Sequence, residues 1–255
     1  MNNILSFTSS SDDPNCINPG KKLEFNATYA REWVDPANWC LVDSTDGPCI
    51  NKIALLDSEK IPCTSDDVIF PTGNSYFIDF GTDMELNINS MRFLGKTYST
   101  NSFEKFMTSE KGKEYFKPYN SHENPAHVNI RRHPCRDPAS CDCGNYKPPI
   151  FRKICEMHSP FCKRPQCKQP VRPTGHCCNI CGAVIKSKFE NGFNYETFVN
   201  NIKKEFLHNE TGIELVVSRI DTSIQLTLTD PAGDTSGIVA MKIFKDINDG
   251  RLLIF

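Results

Sequence analysis

The clearest hydrophobic pattern in the chain lies between residues 84 and 95, in the run MELNINSMRFLG. Met84, Leu86 and Ile88 alternate with polar residues, and Met91 and Phe93 then continue one position out of phase. Alternation with a period of two predicts a half-buried β-strand, and a slip of phase predicts a bulge or a corner. We therefore expect short strands here that change direction within the run.

Short extended runs broken by turns fill residues 23–98, including VIF at 68–70 and YFIDF at 76–80. None of them has helical periodicity. This region is predicted to be a β-rich scaffold, and a β-sandwich and a β-solenoid both remain open because alternation does not distinguish them.

The pattern changes after Gly182, where helical and strand periods follow one another. One helix places five apolar residues on one face: Tyr195, Phe198, Val199, Ile202 and Phe206. Two strands, IELVVSRI and SIQLTLTD, come next. A last helix is expected to bury a stripe of Val239, Ile243, Phe244 and Ile247. Residues 185–255 are thus predicted to form a small α-β-β-α unit.

The remaining segments lack strong periodicity. Residues 1–22 are rich in Ser, Asn and Asp and are expected to be a flexible lead, and residues 99–134 are expected to be a linker or insertion. No run of 18 apolar residues occurs, so membrane attachment is expected only through a segment absent from this chain. The first 16 residues are too polar for a signal peptide, so we expect an incomplete or mis-started copy of a longer secretory protein.

Cysteines are concentrated in residues 135–184, which are predicted to be a small disulfide-rich module. The large apolar residues of this segment are too few to stabilise it by packing, and disulfides supply about 2–4 kcal/mol each. Zinc sites usually use two spaced CxxC pairs, whereas the adjacent Cys177 and Cys178 suit two different disulfides better than one metal. The cysteines expected in disulfides are Cys63, Cys135, Cys141, Cys143, Cys155, Cys162, Cys167, Cys177, Cys178 and Cys181. We expect no metal site, although a zinc-dependent intracellular protein is a third hypothesis.

Several features bear on the compartment and the class of function. Asn26 and Asn209 begin glycosylation sequons, which fits a secretory route. The 13 cysteines are an odd number, so one is expected to be unpaired, to pair between chains, or to pair with a part of the protein outside this sequence. The net charge of −2 gives no indication of a nucleic-acid partner. No common catalytic motif is present, so we expect neither an enzyme nor a cofactor.

Charge within the cysteine-rich segment is mainly basic, with Lys163, Arg164 and Lys168 among its cations. In an extracellular protein such a surface fits an acidic polysaccharide or an acidic partner, and an ordinary soluble surface explains it as well. Trp33 and Trp39 are candidates for a sugar site, but in a strand-rich region they are more often part of the core.

Two resemblances follow from the motifs. The spacing from Cys141-x-Cys143 to Cys177-Cys178-x-x-Cys181 resembles the von Willebrand factor type C module of extracellular proteins that bind other proteins. The second resemblance covers nearly the whole chain, which is similar to the ectodomain of the amnionless family. It is carried by WVDPANW at 33–39, PC at 62–63, DDVIFP at 66–71, CDCGN at 141–145 and PVRPTGHCCNICGAVI at 170–185.

The amnionless resemblance implies a fold and a function. It implies a β-helix-like scaffold whose flat apolar faces receive the large receptor cubilin. The family member brings cubilin to the apical plasma membrane and supports receptor-mediated endocytosis of vitamin B12–carrier complexes and proteins, and it is found on the extracellular side and in endosomes. The partner surface is then expected on residues 33–98, including Trp33, Trp39, Phe70, Leu86, Ile88 and Phe93. The alternative is a secreted type C-module protein that binds and modulates growth factors.

Overall fold

The computed structural model describes residues 31–42, 47–50, 52–73, 75–117, 124–208, 210, 212–230 and 234–252. The predicted flexible lead at residues 1–22 lies outside these ranges. The described residues contain two hydrophobic cores, one formed mainly by residues 33–130 and the other mainly by residues 183–252.

The first core is surrounded by short strands in three small sheets. Strand β1 (Arg31–Glu32) pairs in parallel with β3 (Ile78–Asp79). Strand β2 (Asp67–Ile69) pairs in parallel with β5 (Ser90–Phe93), and β5 pairs antiparallel with β6 (Lys96–Tyr98). Strand β4 (Glu85–Ile88) pairs in parallel with β7 (His127–Ile130).

The phase slip in the sequence corresponds to a change of sheet. Strands β4 and β5 are separated by Asn89 alone, yet they belong to different sheets. The backbone N–H of Asn89 donates at 2.9 Å to the carbonyl of Asp66, the residue directly before β2. Because the chain turns a corner here, Ile88 and Met91 both point into the same core although their spacing is odd.

Residues 99–134 differ from the expected linker. They include helix α1 (Thr100–Met107), which begins with a capping box between Ser99 and Ser102, and strand β7. Phe103 and Phe116 are fully buried and pack with ring centroids 5.3 Å apart. Most residues of this segment are polar, so its composition did not indicate a buried part. The few aromatic residues supply the apolar area that packs the segment against the core.

The second core belongs to a three-stranded antiparallel sheet covered by two helices. Its strands are β8 (Gly182–Lys188), β9 (Glu214–Ile220) and β10 (Ser223–Thr229), in the order β8-β10-β9. The helices are α3 (Tyr195–Phe206) and α4 (Asp234–Asn248). The predicted α-β-β-α order is present, but β8 adds a strand in front of it. Phe244, expected in the buried stripe of the last helix, is 50% exposed.

The cysteine-rich segment bridges the two cores. Its helix α2 (Ile150–His158) buries Ile154 in the first core, whereas Ala139 is buried in the second. The Asn145 amide donates to the carbonyls of Ser58 and Ile61 at 3.2 Å each. The segment is therefore packed between the other two parts of the chain.

The fold class is mixed, with helices and strands in both cores. The described residues contain no solenoid, so the expectation of a mainly β protein with a β-helix-like scaffold is not confirmed. The strands around β4 and β5 are two to four residues long and belong to separate small sheets. Alternation reports local burial only, and it carries no information about how neighbouring strands are paired.

Candidate partner-binding cleft

An aromatic cleft opens at one end of the first core, beside β1 and the end of β2. It has a volume of about 430 Å³ and is lined mainly by apolar side chains. Its walls include Trp39, Phe70, Pro71, Tyr76 and Val42. Clefts of this size with aromatic walls are typical sites for a ligand or for a side chain of a protein partner.

Trp39 forms one wall and is held by Trp33. The two rings meet edge to face with centroids 4.6 Å apart, and the indole Nε1–H of Trp39 donates to the Trp33 carbonyl at 2.7 Å. A short 3₁₀ helix (Pro36–Asn38) lies between them, and the Asp35 side chain caps it by accepting from the N–H of Ala37. The WVDPANW motif therefore folds so that one tryptophan is buried and the other is only partly covered.

Phe70 and Tyr76 continue this wall, because the Phe70 ring meets the Trp39 ring edge to face with centroids 5.9 Å apart. Their rings are 5.2 Å apart and nearly perpendicular, and Phe70 also contacts Phe93 at 5.1 Å in the core. The Tyr76 hydroxyl donates to the carbonyl of Pro71 at 2.7 Å, which closes the turn between β2 and β3. The wall is thus rigid, and a rigid aromatic surface loses little conformational entropy when it binds a partner.

A disulfide between Cys40 and Cys49 lies at the rim of the cleft. Cys40 and Cys49 are not among the cysteines expected to form disulfides. Their spacing of nine residues, directly after the WVDPANW motif, was the available signal. The rim residues Val42 and Gly47 lie between the two bridged cysteines in the chain.

The residues expected on the partner surface divide into two groups. Trp33, Trp39 and Phe70 contribute to the cleft. Leu86, Ile88 and Phe93 are buried in the first core, and the exposed fractions of Ile88 and Phe93 are 0%. These three residues lie on the inner sides of β4 and β5 and belong to the core, because alternating apolar positions of a one-sided sheet face inward.

Disulfide bonds, expected from the cysteine spacing, are present throughout the middle of the chain. The adjacent cysteines pair separately, Cys177 with Cys155 and Cys178 with Cys162. Three further bridges join Cys63 to Cys143, Cys135 to Cys141 and Cys167 to Cys181.

One cluster of side chains has the residue types of a metal site. Asp57, His158 and Cys178 lie close together, but the Cys178 sulfur is bonded to Cys162 and is not a thiolate. The Lys60 ammonium also lies 2.8 Å from the Asp57 carboxylate, where it competes with a cation. Burial by itself raises the pKa of Asp57, but hydrogen bonding from His176 and the charge of Lys60 outweigh it and leave the pKa well below its ordinary value. The cluster is therefore an ion-pair network.

Two further sequence expectations concern the surface and the membrane. The sequon residues Asn26 and Asn209 both lie outside the described residues. Within the ranges that the structure describes, no helix combines the length and apolar character needed to cross a bilayer.

Comparison with known proteins gives consistent matches. The sequence profile of the Amnionless family matches residues 1–251. Protein amnionless of Homo sapiens is 27% identical over 233 residues, which cover 86% of this chain and 49% of the relative. Protein amnionless of Canis lupus familiaris is 26% identical over 247 residues, covering 92% and 51%. That of Drosophila melanogaster is 24% identical over 178 residues, covering 70% and 32%. The chain spans about half the length of the human and dog relatives.

Proposed function

The chain belongs to the amnionless family, and we propose that it is the extracellular, partner-binding part of an amnionless-like membrane co-receptor. The disulfide-rich fold fits the secretory pathway and the outside of the cell, because such bonds persist in oxidising compartments. The family is of the receptor type and is not a known enzyme family.

The proposed partner is a cubilin-like receptor chain. In this proposal the co-receptor brings that chain to the apical cell surface and supports endocytosis of vitamin B12–carrier complexes and proteins. Membrane attachment is assigned to a part of the full-length family member outside this chain. Both the partner and the cargo are carried over from the family.

The observation that carries the binding proposal is the aromatic cleft beside Trp39. Large aromatic side chains supply most of the binding energy in protein interfaces, and they do so best in preformed pockets. Trp39 and Tyr76 are partly buried against the first core, and together with the exposed Pro71 they present such a surface. An apolar side chain of the partner packed against them would displace water from the cleft.

The test is co-purification after secretion. The chain, preceded by a signal peptide, is co-expressed with the N-terminal segment of a cubilin-like protein from the same organism and purified under non-reducing conditions. We expect a stable complex. Pro71→Asp and Val42→Asp introduce a charge at the cleft and are expected to weaken it about tenfold or more, whereas Met241→Asp, on the exposed side of α4, leaves it unchanged.

Each outcome has a defined meaning. Well-folded wild-type chain without association would overturn the cubilin-like partner and redirect the search to growth-factor ligands. Association that Pro71→Asp and Val42→Asp do not weaken would retain the partner and reject the cleft as its site.

A further inference from the structure

A second groove lies where the three parts of the chain meet. The loop at residues 52–60, the end of helix α2 with the following turn, and the end of strand β10 all contribute to it. Its volume is about 390 Å³. Basic residues dominate its polar lining: Lys52, Lys60, His158, Lys163, Arg164 and His176.

The carboxylates at this groove already have partners. Asp57 is bound by Lys60 and His176 and by the backbone N–H of Cys177. Asp230 accepts a hydrogen bond from the backbone N–H of Ser236. Neither carboxylate is available to neutralise the remaining cations of the groove.

Three cations are left over. Lys52, Lys163 and Arg164 are exposed, and none of them forms a hydrogen bond or an ion pair with any residue that the structure describes. Like charges around one concave surface raise the local positive potential and attract an anion. The groove therefore has a cationic excess that the protein does not itself compensate.

A buried polar atom adds a second and independent observation. His176 is only 3% exposed, and its Nδ1 faces Asp57 Oδ2 at 3.2 Å. Its Nε2 has no hydrogen-bond partner among the described residues, although the residue lines the groove. Buried polar atoms are normally paired, and an unpaired one at a groove is expected to bind a ligand atom or water.

The groove also displays two large apolar side chains. Phe161 is 74% exposed and Ile53 is 65% exposed, and both line it together with the free cations. We propose that this groove binds an acidic peptide segment of a partner protein, with carboxylates on Lys52, Lys163 and Arg164 and an apolar side chain against Phe161 and Ile53. A sulfated polysaccharide satisfies the cations equally well, but it has no apolar side chain to cover this exposed surface.

The proposal is independent of the aromatic cleft and is tested on the full chain. The probe is the fluorescein-labelled peptide EEDLFDEE, and its binding is measured by fluorescence anisotropy at low salt. We expect Lys163→Glu/Arg164→Glu to weaken binding about tenfold or more. The matched variant Lys203→Glu/Lys204→Glu makes the same charge change on the exposed surface of α3 and should weaken it far less.

The apolar contribution is tested separately. Phe161→Ser should weaken EEDLFDEE about fivefold, whereas Met241→Ser removes an equally exposed side chain elsewhere and should have no effect. The peptide EEDSSDEE should bind more weakly than EEDLFDEE to the wild-type chain. The site is rejected if both charge-reversal variants lose binding equally. Competition by a heparin oligosaccharide without any preference for EEDLFDEE over EEDSSDEE would overturn the peptide in favour of a polysaccharide.

Discussion

The Asp57 carboxylate accepts a 2.8 Å hydrogen bond from the backbone N–H of Cys177, which lies 120 residues later in the chain. The same carboxylate contacts His176 Nδ1 at 3.2 Å and Lys60 Nζ at 2.8 Å. It is 1% exposed. This one side chain therefore fixes the GHCC segment and its two disulfides against the first core.

Replacing Asp57 by Asn is expected to destabilise the protein by about 3 kcal/mol, because it leaves buried charges without a partner. The pKa of Asp57 is lowered in the folded protein, so its contribution is present above the ordinary pKa of 3.8 and is lost as the pH falls below it. The difference in unfolding temperature between Asp57→Asn and wild type should then shrink in acid. Asp221→Asn, in an exposed turn with φ of 57° that Asn tolerates, is the control and should be nearly neutral.

Gly175 is the first residue of this GHCC segment and is expected to tolerate no side chain. Its φ is +93°, and a Cβ there would lie 2.4 Å from the Ser58 Oγ. Gly175→Ala should cost about 2–4 kcal/mol from backbone strain and steric overlap, measured by chemical unfolding. The double variant Gly175→Ala/Ser58→Ala removes the overlapping oxygen and should recover part of the loss. Equal losses in the single and double variants would exclude the Ser58 hydroxyl as the cause and leave backbone strain and the Leu56 side chain, which would lie 3.1 Å from the added Cβ.

Sequence patterns anticipated the second core better than the first. In α3 the helical spacing of Phe198 and Ile202 is evident in the sequence, and both residues are buried. Strand β8 was missed because its run, GAVIKSK, follows directly on the cysteines and has only four apolar or small residues before it becomes polar. Its partner, β10, lies about 40 residues later, and local patterns contain no information about such pairing.

The candidate cleft was only partly predictable. The unusual WVDPANW motif marked Trp33 and Trp39, but which of the two is exposed depends on the 3₁₀ turn and on contacts with Phe80 and Phe70. The basic groove combines Lys52 with Lys163 and Arg164, residues more than 100 positions apart. Only the folded chain brings these charges together.

The Cys63–Cys143 disulfide is expected to be the most stabilising of the bridges. It closes a separation of 80 residues, the largest of the described disulfides, and in the chain-entropy model a loop of this size contributes about 4 kcal/mol. Cys63→Ser/Cys143→Ser should lower the free energy of unfolding by about that amount. Cys135→Ser/Cys141→Ser removes a bridge with a separation of only six residues and should cost markedly less. Similar losses for the two pairs would contradict the entropic explanation.

Glu59 links the first part of the chain to the second sheet. Its Oε2 accepts a 2.8 Å hydrogen bond from the Ser218 hydroxyl of β9, close to where Glu214 of the same strand accepts from the backbone N–H of Ile53. Burial raises the pKa of Glu59 to about 7, and the negative charges of the nearby Asp66 and Asp142 add to the rise. The hydrogen bond from Ser218 lowers the pKa but does not outweigh burial. The carboxyl is therefore more easily ionised in the unfolded chain than in the folded one.

This shift predicts a pH-dependent stability with a definite sign. A carboxyl with a raised pKa stabilises the folded state fully below its unfolded pKa of 4.5, and the contribution is lost as the pH rises to about 7. Glu59→Gln removes the titration, so the variant should match wild type near pH 4.5 and exceed its free energy of unfolding by about 3 kcal/mol above pH 7. Glu205→Gln, on the exposed surface of α3, should follow wild type at every pH. A constant difference between Glu59→Gln and wild type from pH 4.5 to 8 would show that Glu59 does not titrate at this junction.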